Sequence, residues 1–449
     1  MGEGERMNSP TKRILSSVFG EGGIPLFIYS ALWMAGVFAL SVFVLGGAFP
    51  FAPEARVVLF PSFAAGLLGG IFFPIWGGLA SLLALVFLLL IHSGATFVVV
   101  TATALPFAGG VVVGSRVSTR SSLAVFAVAG ETVRALFASI LLSPIAGGDS
   151  LALFGGALLS LLHGTGYLFV ALYLGEYLFS LMTRPRLSEV CSDGHPLVRE
   201  MKERAMGTFV HARNVSILAE AAARAIGADF LLARAGGFFH DVGKLWNPTF
   251  YGENQRNQPN VHDTVTMDVS RSIIIAHIDE GVRRVRKHRL GKQMEGFVLT
   301  HHGDGPVYHF PEEKRKVRDR YPGPVPSTKE EGLVMLADAL EAVTRCVSGP
   351  LSEEELEEMV RYVIERAKRD GQLRECPLSE RELDLVREVF VDCLRNLYHG
   401  RVRYRSSDSY GGRKGDAHCV GAEREERKEA RYPGHKADDS PDAPESEYH

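Results

Sequence analysis

A histidine-aspartate doublet, His240–Asp241, ends an apolar helical run over residues 231–239. A neutral imidazole beside a hard carboxylate suits a first-row transition metal better than calcium or magnesium. Gly243 lies where a glycine commonly stops such a helix. A two-residue match arises often by chance, and a histidine near a helix end is often a packed core residue. The doublet therefore needs support from the rest of the chain.

Five more residues of metal-binding types lie in strongly apolar helical contexts. Taken singly, such residues are typical of a packed core or of a hydrogen-bonded helix interior. Together with the doublet they would converge in the core of a helical bundle, where a buried carboxylate is costly unless a cation neutralises it. A shared metal centre is the simplest explanation of the set. The five residues are His211, His277, His301, His302 and Asp338.

Two metals can share this set, because an aspartate has two oxygens and can bridge them. We expect Asp241 to be that bridge and therefore a catalytic residue. Metals about 3.5–4 Å apart hold both the attacking and the leaving oxygens of a phosphoryl substrate. A water shared between them ionises near neutral pH and supplies the nucleophile. The residues thus predict a metal-dependent phosphohydrolase.

The elements that must position these residues have the periodicity of amphipathic helices from about Ser188 onward, with no convincing alternating strand. We therefore predict an all-α domain. Asp229 and Asp268 are expected N-caps. Ser327 and Glu330 have the spacing of a capping box. The predicted helices cover residues 197–226, 229–242, 268–289, 292–302, 327–347, 352–369 and 379–399.

The 449 residues divide into an apolar part and a charged part. Residues 24–182 carry very few charges, whereas residues 183–449 carry most of the Lys, Arg, Asp and Glu. The net charge of -3 gives no reason to expect a nucleic-acid polymer as a partner. The five cysteines lack CxxC spacing, which fits a reducing cytosol and indicates neither a disulfide framework nor a zinc ribbon.

The apolar part, residues 24–182, predicts a polytopic membrane helix bundle of about six spans. A helix needs about 20 apolar residues to cross the hydrocarbon core, and six stretches approach this length. Residues 1–23 lack the apolar core of a signal peptide, so we predict that this N-terminal segment is not a removable signal peptide. The glycine-rich run around Gly66 indicates close helix packing. The six stretches are 24–47, 56–73, 75–92, 96–114, 122–142 and 151–182.

Basic residues between the predicted spans indicate the orientation. By the positive-inside rule, the N-terminus, the 115–121 loop and the charged part face the cytoplasm of a multi-pass cell-membrane protein. The opposite side has only Arg56, flanked by Glu54, and Asp149. The basic residues on the predicted cytoplasmic side are Lys12, Arg13, Arg116, Arg120, Arg184 and Arg186.

Glu131 and Arg134 lie one helical turn apart in the fifth apolar stretch. Ionisable groups at membrane depth are costly and usually face a partner or a cavity. The favoured hypothesis is a mutually neutralising structural pair, and a sensing or transport role is the alternative.

As a set, the motifs of the charged part resemble the membrane-bound seven-transmembrane HD-domain phosphohydrolases of the PgpH type. The resemblance spans about residues 205–400 and, more loosely, the apolar part. It implies an α-helical HD domain within residues 188–403, two iron or manganese ions, and hydrolysis of cyclic di-AMP to linear pApA. The stretches that carry it include FFHDVGK at 238–244, GENQ at 252–255, NVHD at 260–263, HHG at 301–303 and RYPGPVPSTKE at 320–330.

The resemblance also implies a role for each matching residue. Lys244 follows Gly243 as in the family and is implied to be a catalytic residue that brings a positive charge near the phosphate, although a solvated lysine at a helix end is equally typical. Glu253 and Asn254 match a family motif and are implied to line the nucleotide site, with a loop-stabilising role as the alternative. One metal would be held by His211, His240, Asp241 and Asp338, and the other by His277, His301, His302 and the shared Asp241.

The chain departs from that family in its outer part. Family members usually carry a large extracytoplasmic domain after a first membrane span, whereas no external loop here is long enough for one. We therefore expect about six spans and no external sensor domain. Residues 404–449 lack periodic apolar residues, which predicts a disordered tail.

Several functions stay open at this point. The leading hypothesis is a membrane-anchored phosphodiesterase. Its expected partners are a cyclic dinucleotide substrate and the lipid bilayer, and a homodimer is possible. A second hypothesis keeps the fold and metals but takes cyclic di-GMP or ppGpp. The sequence after His302 lacks the Gly-Tyr-Pro element that marks the cyclic di-GMP subfamily. A third is a membrane receptor that binds a nucleotide without cleaving it, and a transporter is a weaker alternative.

Overall fold

A computed structural model describes most of the charged part and a portion of the apolar part. The regular elements of the described residues are all helices. An isolated antiparallel β-bridge pairs Pro306 with Arg320. The predicted all-α fold is therefore confirmed for the described residues. The predicted N-terminal segment, the apolar stretches 24–47 and 75–92 and the predicted tail lie outside them. The described residues are 62–72, 97–142, 150–178, 180–255, 260–307, 320–347 and 351–402.

Four described helices belong to the apolar part. They are α1 Ser62–Phe72, α2 Phe97–Gly114, α3 Arg120–Leu142 and α4 Ser150–Leu178. Two segments within them, Arg120–Leu141 and Leu158–Leu178, are long and apolar enough to cross a bilayer. The bundle of about six spans therefore stays a prediction. At Gly66 a Cβ atom would lie 2.1 Å from the Phe107 carbonyl oxygen, so the predicted close packing is present between α1 and α2.

Glu131 and Arg134 are buried inside this helix group. The Arg134 Nε donates to Glu131 Oε2 at 2.5 Å, and its guanidinium also contacts the Ser160 hydroxyl. Glu131 Oε1 accepts the Ala64 backbone N–H of α1 at 2.7 Å. The pair thus joins α1, α3 and α4, which supports the structural hypothesis for these two residues.

Nine described helices form the charged part. A single large apolar cluster of buried side chains joins them, and α7 packs against α8, α11 and α13. Between α8 and α9 the chain forms four short 3-10 turns, Val242–Trp246, Pro248–Phe250, Gly252–Asn254 and Val261–Asp263. The helices are α5 Arg184–Val190, α6 Pro196–Arg204, α7 Met206–Ala225, α8 Phe230–Phe239, α9 Met267–Lys287, α10 Gly291–Thr300, α11 Lys329–Cys346, α12 Glu353–Arg369 and α13 Glu380–Val402.

Two of the predicted helix starts are wrong by one or two residues. Asp268 lies in the first turn of α9, and the hydroxyl of Thr266 is the cap, because it accepts the Val269 N–H. The capping box of α11 pairs Thr328 with Glu331, one residue later than predicted. The Asp229 cap of α8 is confirmed, since its carboxylate accepts backbone N–H groups of the first turn.

Two other sequence predictions about helix limits are also wrong. The predicted helix 197–226 is interrupted at Ala205, whose φ of -142° and ψ of 61° are not helical. Helix α8 ends at Phe239, and Gly243 does not stop it but lies in the following 3-10 turn. A Cβ atom at Gly243 would lie 1.7 Å from the His277 carbonyl oxygen. The glycine is therefore required for the close approach of this turn to α9.

The apolar and charged parts are in direct contact. Arg120, at the start of α3, forms ion pairs with Glu176 of α4 at 2.6 Å and with Glu189 of α5 at 2.9 Å. The Arg289 guanidinium lies 4.2 Å from the centre of the Tyr177 ring. The turn between α9 and α10 therefore lies against the end of α4.

Candidate metal centre

The seven predicted ligands come together from five places in the fold. His211 lies on α7 and His277 on α9, while Asp338 lies on α11. The other four follow helix ends directly: His240 and Asp241 follow α8, and His301 and His302 follow α10. Six of the seven are buried, and His302 is partly exposed. Their ligand atoms fall into two groups, His211, His240, Asp241 and Asp338 on one side and His277, His301 and His302 on the other.

The first group has its donor atoms in mutual contact. His211 Nε2 lies 3.0 Å from Asp338 Oδ1 and 3.3 Å from His240 Nε2. Asp241 Oδ2 lies 3.4 Å from the Nε2 atom of each of the two histidines. Two nitrogens and two carboxylates thus face one point.

The second group is joined to the first through Asp241. His277 Nε2 and His301 Nε2 lie 3.1 Å apart. The other oxygen of the aspartate, Asp241 Oδ1, lies 3.5 Å from the first of these nitrogens and 3.6 Å from the second. His302 Nδ1 lies 3.8 Å from Asp338 Oδ2. Each oxygen of Asp241 therefore faces a different group, as a bridging ligand requires.

Three imidazoles are oriented by carbonyl groups of their own helices. The Nδ1–H groups of His240, His277 and His301 donate to backbone oxygens three residues earlier, at 2.8, 2.5 and 2.9 Å. These hydrogen bonds require the Nδ1–H tautomer, so each Nε2 directs its lone pair into the centre. The hydrogen bonds to backbone carbonyls therefore orient three histidines so that each Nε2 could bind a metal.

The residues of this centre fit divalent transition metals. Burial alone would raise the pKa of Asp241, but Lys244 and the neighbouring histidines hold the pKa well below its ordinary value. The pKa of Asp338 is also lowered, because His211 and His240 outweigh the effect of burial. Asp241 Oδ1 is buried and accepts no hydrogen bond from a described residue. A cation bound by nitrogen and carboxylate donors would satisfy this oxygen.

Lys244 is not a solvated helix-end lysine. Its Nζ lies 2.6 Å from Asp241 Oδ2 and 2.9 Å from Glu253 Oε1, and 14% of the side chain is exposed. Burial opposes the charge on this amine, but the two carboxylates raise its pKa above the ordinary value. A fixed positive charge therefore stands beside the central aspartate.

Glu253 and Asn254 attach their turn to the start of α7. The Asn254 amide accepts the Thr208 N–H at 3.1 Å and donates to the Thr208 hydroxyl at 2.8 Å. That hydroxyl lies 3.2 Å from Glu253 Oε1. Both residues thus have the loop-stabilising contacts of the alternative hypothesis, and Glu253 also contacts Lys244. A role in substrate binding stays a prediction.

Two residues at the centre were missed in the sequence. Glu341 Oε2 lies 2.5 Å from His211 Nδ1, and the Tyr321 ring stacks on His302 with ring centres 4.1 Å apart. Glu341 had a detectable signal, because it follows Asp338 by three residues and therefore shares its helix face. Tyr321 lies outside a helix, so no periodicity pointed to it, but the RYPGPVPSTKE motif at 320–330 contains it.

Comparisons with known proteins identify the domain that carries these residues. The family model for the HD domain matches residues 208–343. The cyclic-di-AMP phosphodiesterase PgpH of Bacillus subtilis is 35% identical over 233 residues, 50% of this chain and 33% of that protein. The PgpH of Listeria monocytogenes is 34% identical over 238 residues, 51% of this chain and 33% of that protein. The chain spans about a third of the length of these relatives.

Solved structures of the L. monocytogenes PgpH HD domain are also similar. One of them is a complex with cyclic di-AMP, and both are 33% identical to this chain, with a TM-score of 0.44. The similarity covers 46% of this chain and 100% of each solved chain. This chain therefore carries an HD domain and is homologous, over about half of its length, to the cyclic-di-AMP phosphodiesterases named PgpH.

Proposed function

We propose that this protein is a membrane-anchored, metal-dependent phosphodiesterase that hydrolyses a cyclic dinucleotide, with cyclic di-AMP as the preferred substrate. The observation that carries the proposal is the position of Asp241, whose two oxygens face two different groups of histidines. The choice of substrate is supported by the relatives named as cyclic-di-AMP phosphodiesterases.

The chemistry follows from the charges at this centre. Two divalent metals, iron or manganese, would supply an activated water and positive charge for the phosphoryl oxygens when bound. Backbone carbonyls orient His240, His277 and His301. The Glu341 carboxylate orients His211. Lys244 adds a buried positive charge 2.6 Å from Asp241, where a phosphate oxygen could be stabilised.

The reaction is a hydrolysis of one phosphodiester bond. A water oxygen forms a bond to phosphorus, the bond from phosphorus to a ribose 3′ oxygen breaks, and that oxygen takes up a proton. The product of cyclic di-AMP is linear pApA with a 5′ phosphate. No redox partner or additional co-substrate is needed.

The membrane anchor is supported by the surface of the apolar part. Large apolar side chains face outward there: Val133 is 66%, Ile140 74% and Leu162 63% exposed. Glu131 and Arg134 are buried instead. Such a surface is unusual for a protein in water and typical of one in contact with lipid. We therefore place these helices in the cell membrane and the HD domain in the cytoplasm.

The test is a turnover comparison on the full chain in detergent, loaded with manganese. Cyclic di-AMP, cyclic di-GMP and ppGpp are supplied separately, and products are separated by chromatography. We expect cyclic di-AMP to be cleaved fastest, and Asp241→Ala to abolish the reaction. Preference for another nucleotide would overturn the substrate assignment. Binding of cyclic di-AMP without cleavage would favour the receptor hypothesis.

A further inference from the structure

His211 has a charged hydrogen-bond partner, the Glu341 carboxylate, whereas three other histidines of the centre have uncharged backbone partners. His240, His277 and His301 each donate from Nδ1 to an uncharged carbonyl oxygen of their own helix. His211 instead has the Glu341 carboxylate at 2.5 Å from Nδ1. This contact joins α7 to α11, which also carries the ligand Asp338.

Three neighbours fix the Glu341 side chain. Its Oε1 accepts the Asn214 amide at 3.2 Å, and its Oε2 lies 2.9 Å from Arg345 Nε. The carboxylate is buried, with 6% of the side chain exposed. Glu341 is therefore held in one position, with its second oxygen directed at the His211 ring.

A carboxylate acceptor has two effects on a histidine ligand. It fixes the ring orientation and the tautomer, and it increases the electron density and hence the basicity of Nε2. A carbonyl acceptor orients the ring but brings no charge. The first group, which contains His211, should therefore hold its cation more tightly than the second group does.

We propose that Glu341 is a positioning residue that makes the first group, His211, His240, Asp241 and Asp338, the tighter of the two metal sites. This inference rests on the proposed two-metal function and deepens it. Glu341 acts through His211 and does not contact the substrate. Loss of its charge should weaken retention of the first metal and leave the second almost unchanged.

The test measures metal retention rather than turnover. His277→Ala leaves the first group complete, and His211→Ala leaves the second group complete. Glu341→Gln is introduced into each background, and the retained manganese is measured by elemental analysis during a chelator titration. Glutamine keeps an oxygen that accepts from Nδ1 but removes the charge. Glu341→Ala removes both, and it enlarges a 110 Å³ cavity that Glu341 already borders.

In the His277→Ala background we expect Glu341→Gln to weaken retention about 10-fold and Glu341→Ala about 100-fold. In the His211→Ala background either change should alter retention less than about 2-fold, because the histidine that Glu341 positions is absent. Glu357→Gln, an exposed change on α12, is the matched control and should have no effect. Circular dichroism checks that each variant is folded.

If the Glu341 changes reduced manganese retention equally in the His277→Ala and His211→Ala backgrounds, or in neither of them, the proposal would be overturned. A protein that retains manganese in this pattern but does not cleave cyclic di-AMP would refute the proposed function and leave the role of Glu341 intact. Unsubstituted protein that binds no manganese would instead refute the two-metal centre itself. The two failures are therefore distinguishable.

Discussion

At the scale of single residues, one carboxylate connects two groups of histidines. Asp241 is almost fully buried, and each of its oxygens faces nitrogens of a different group. The residue types could be predicted from the sequence because histidines and aspartates in apolar helices need an explanation. The sharing of Asp241 between two metals was also expected, whereas the distances from each of its oxygens to the two groups depend on how α8, α9 and α10 pack.

Asp241→Asn should lower the turnover of cyclic di-AMP by more than about 100-fold. Removal of the hydrogen-bond partner of a metal ligand typically lowers metal affinity or activity about 10–100-fold. Loss of a bridging ligand should lower the activity further. The measurement is the initial rate at saturating manganese. Asp279→Asn, an exposed change on α9, should leave the rate unchanged. An Asp241→Asn rate close to that of the unsubstituted protein would refute the bridging role.

Glu253 should make the metal-free protein sensitive to acid. Burial would raise its pKa, but Lys244 and Arg345 lower the pKa to about 2 from an ordinary 4.5. Because the pKa is lower in the folded protein than in the unfolded chain, the ionised Glu253 stabilises the fold above pH 4.5. This stabilisation is lost as the pH falls toward 2. We expect a loss of about 3 kcal/mol across this range, because each unit of pKa difference corresponds to about 1.4 kcal/mol.

Thermal unfolding at several pH values between about 5 and 2 measures this effect in the metal-free protein. Glu253→Gln should flatten the pH dependence, because glutamine does not titrate. Glu357→Gln, on the exposed side of α12, should keep the original slope. An unchanged slope in Glu253→Gln would show that its carboxylate is not the acid-sensitive group.

At the scale of helices and turns, Gly243 lets one turn approach α9 closely. The sequence predicted this glycine as a helix stop, because a glycine after an apolar run commonly has that role. Its actual neighbour, the His277 carbonyl, lies far along the chain, so no local pattern could reveal it. The same limitation explains the missed interruption at Ala205. Helix types and most helix limits, by contrast, followed from apolar periodicity.

Gly243→Ala should destabilise the protein by about 3 kcal/mol, the cost of forcing extra volume into a close contact. The added methyl would lie 1.7 Å from the His277 carbonyl oxygen, so the turn or α9 must move. Thermal unfolding is the measurement. Gly252→Ala is the control, because a Cβ atom there meets no atom within 4 Å. Equal stability of the two variants would contradict the close approach.

At the scale of the whole molecule, the apolar and charged parts meet where α4 ends. The hydropathy of the sequence predicted the division into two parts, and the charges predicted an orientation. The contacts between the parts could not be predicted. Arg120, expected only as a basic residue on the cytoplasmic side, forms ion pairs with Glu176 and Glu189. The second of these contacts places Arg120 beside α5, at the start of the charged part. It supports our proposal that the 115–121 loop lies on the same side of the membrane as the HD domain.

A reporter inserted in the 115–121 loop should therefore be located in the cytoplasm. The expected result is activity of a reporter that folds only in the cytoplasm, and no activity of one that needs export. A fusion after residue 402, at the end of α13, is the internal comparison and should give the same pattern. Export of the loop reporter would overturn the proposed topology.

We propose above all that seven side chains from five places in the fold hold two metals side by side. Elemental analysis of the full chain, purified in detergent and freed of loosely bound ions, tests this claim most directly. The two ligand groups predict two transition-metal ions per chain. One ion per chain or none, in protein that is folded by circular dichroism, would contradict it.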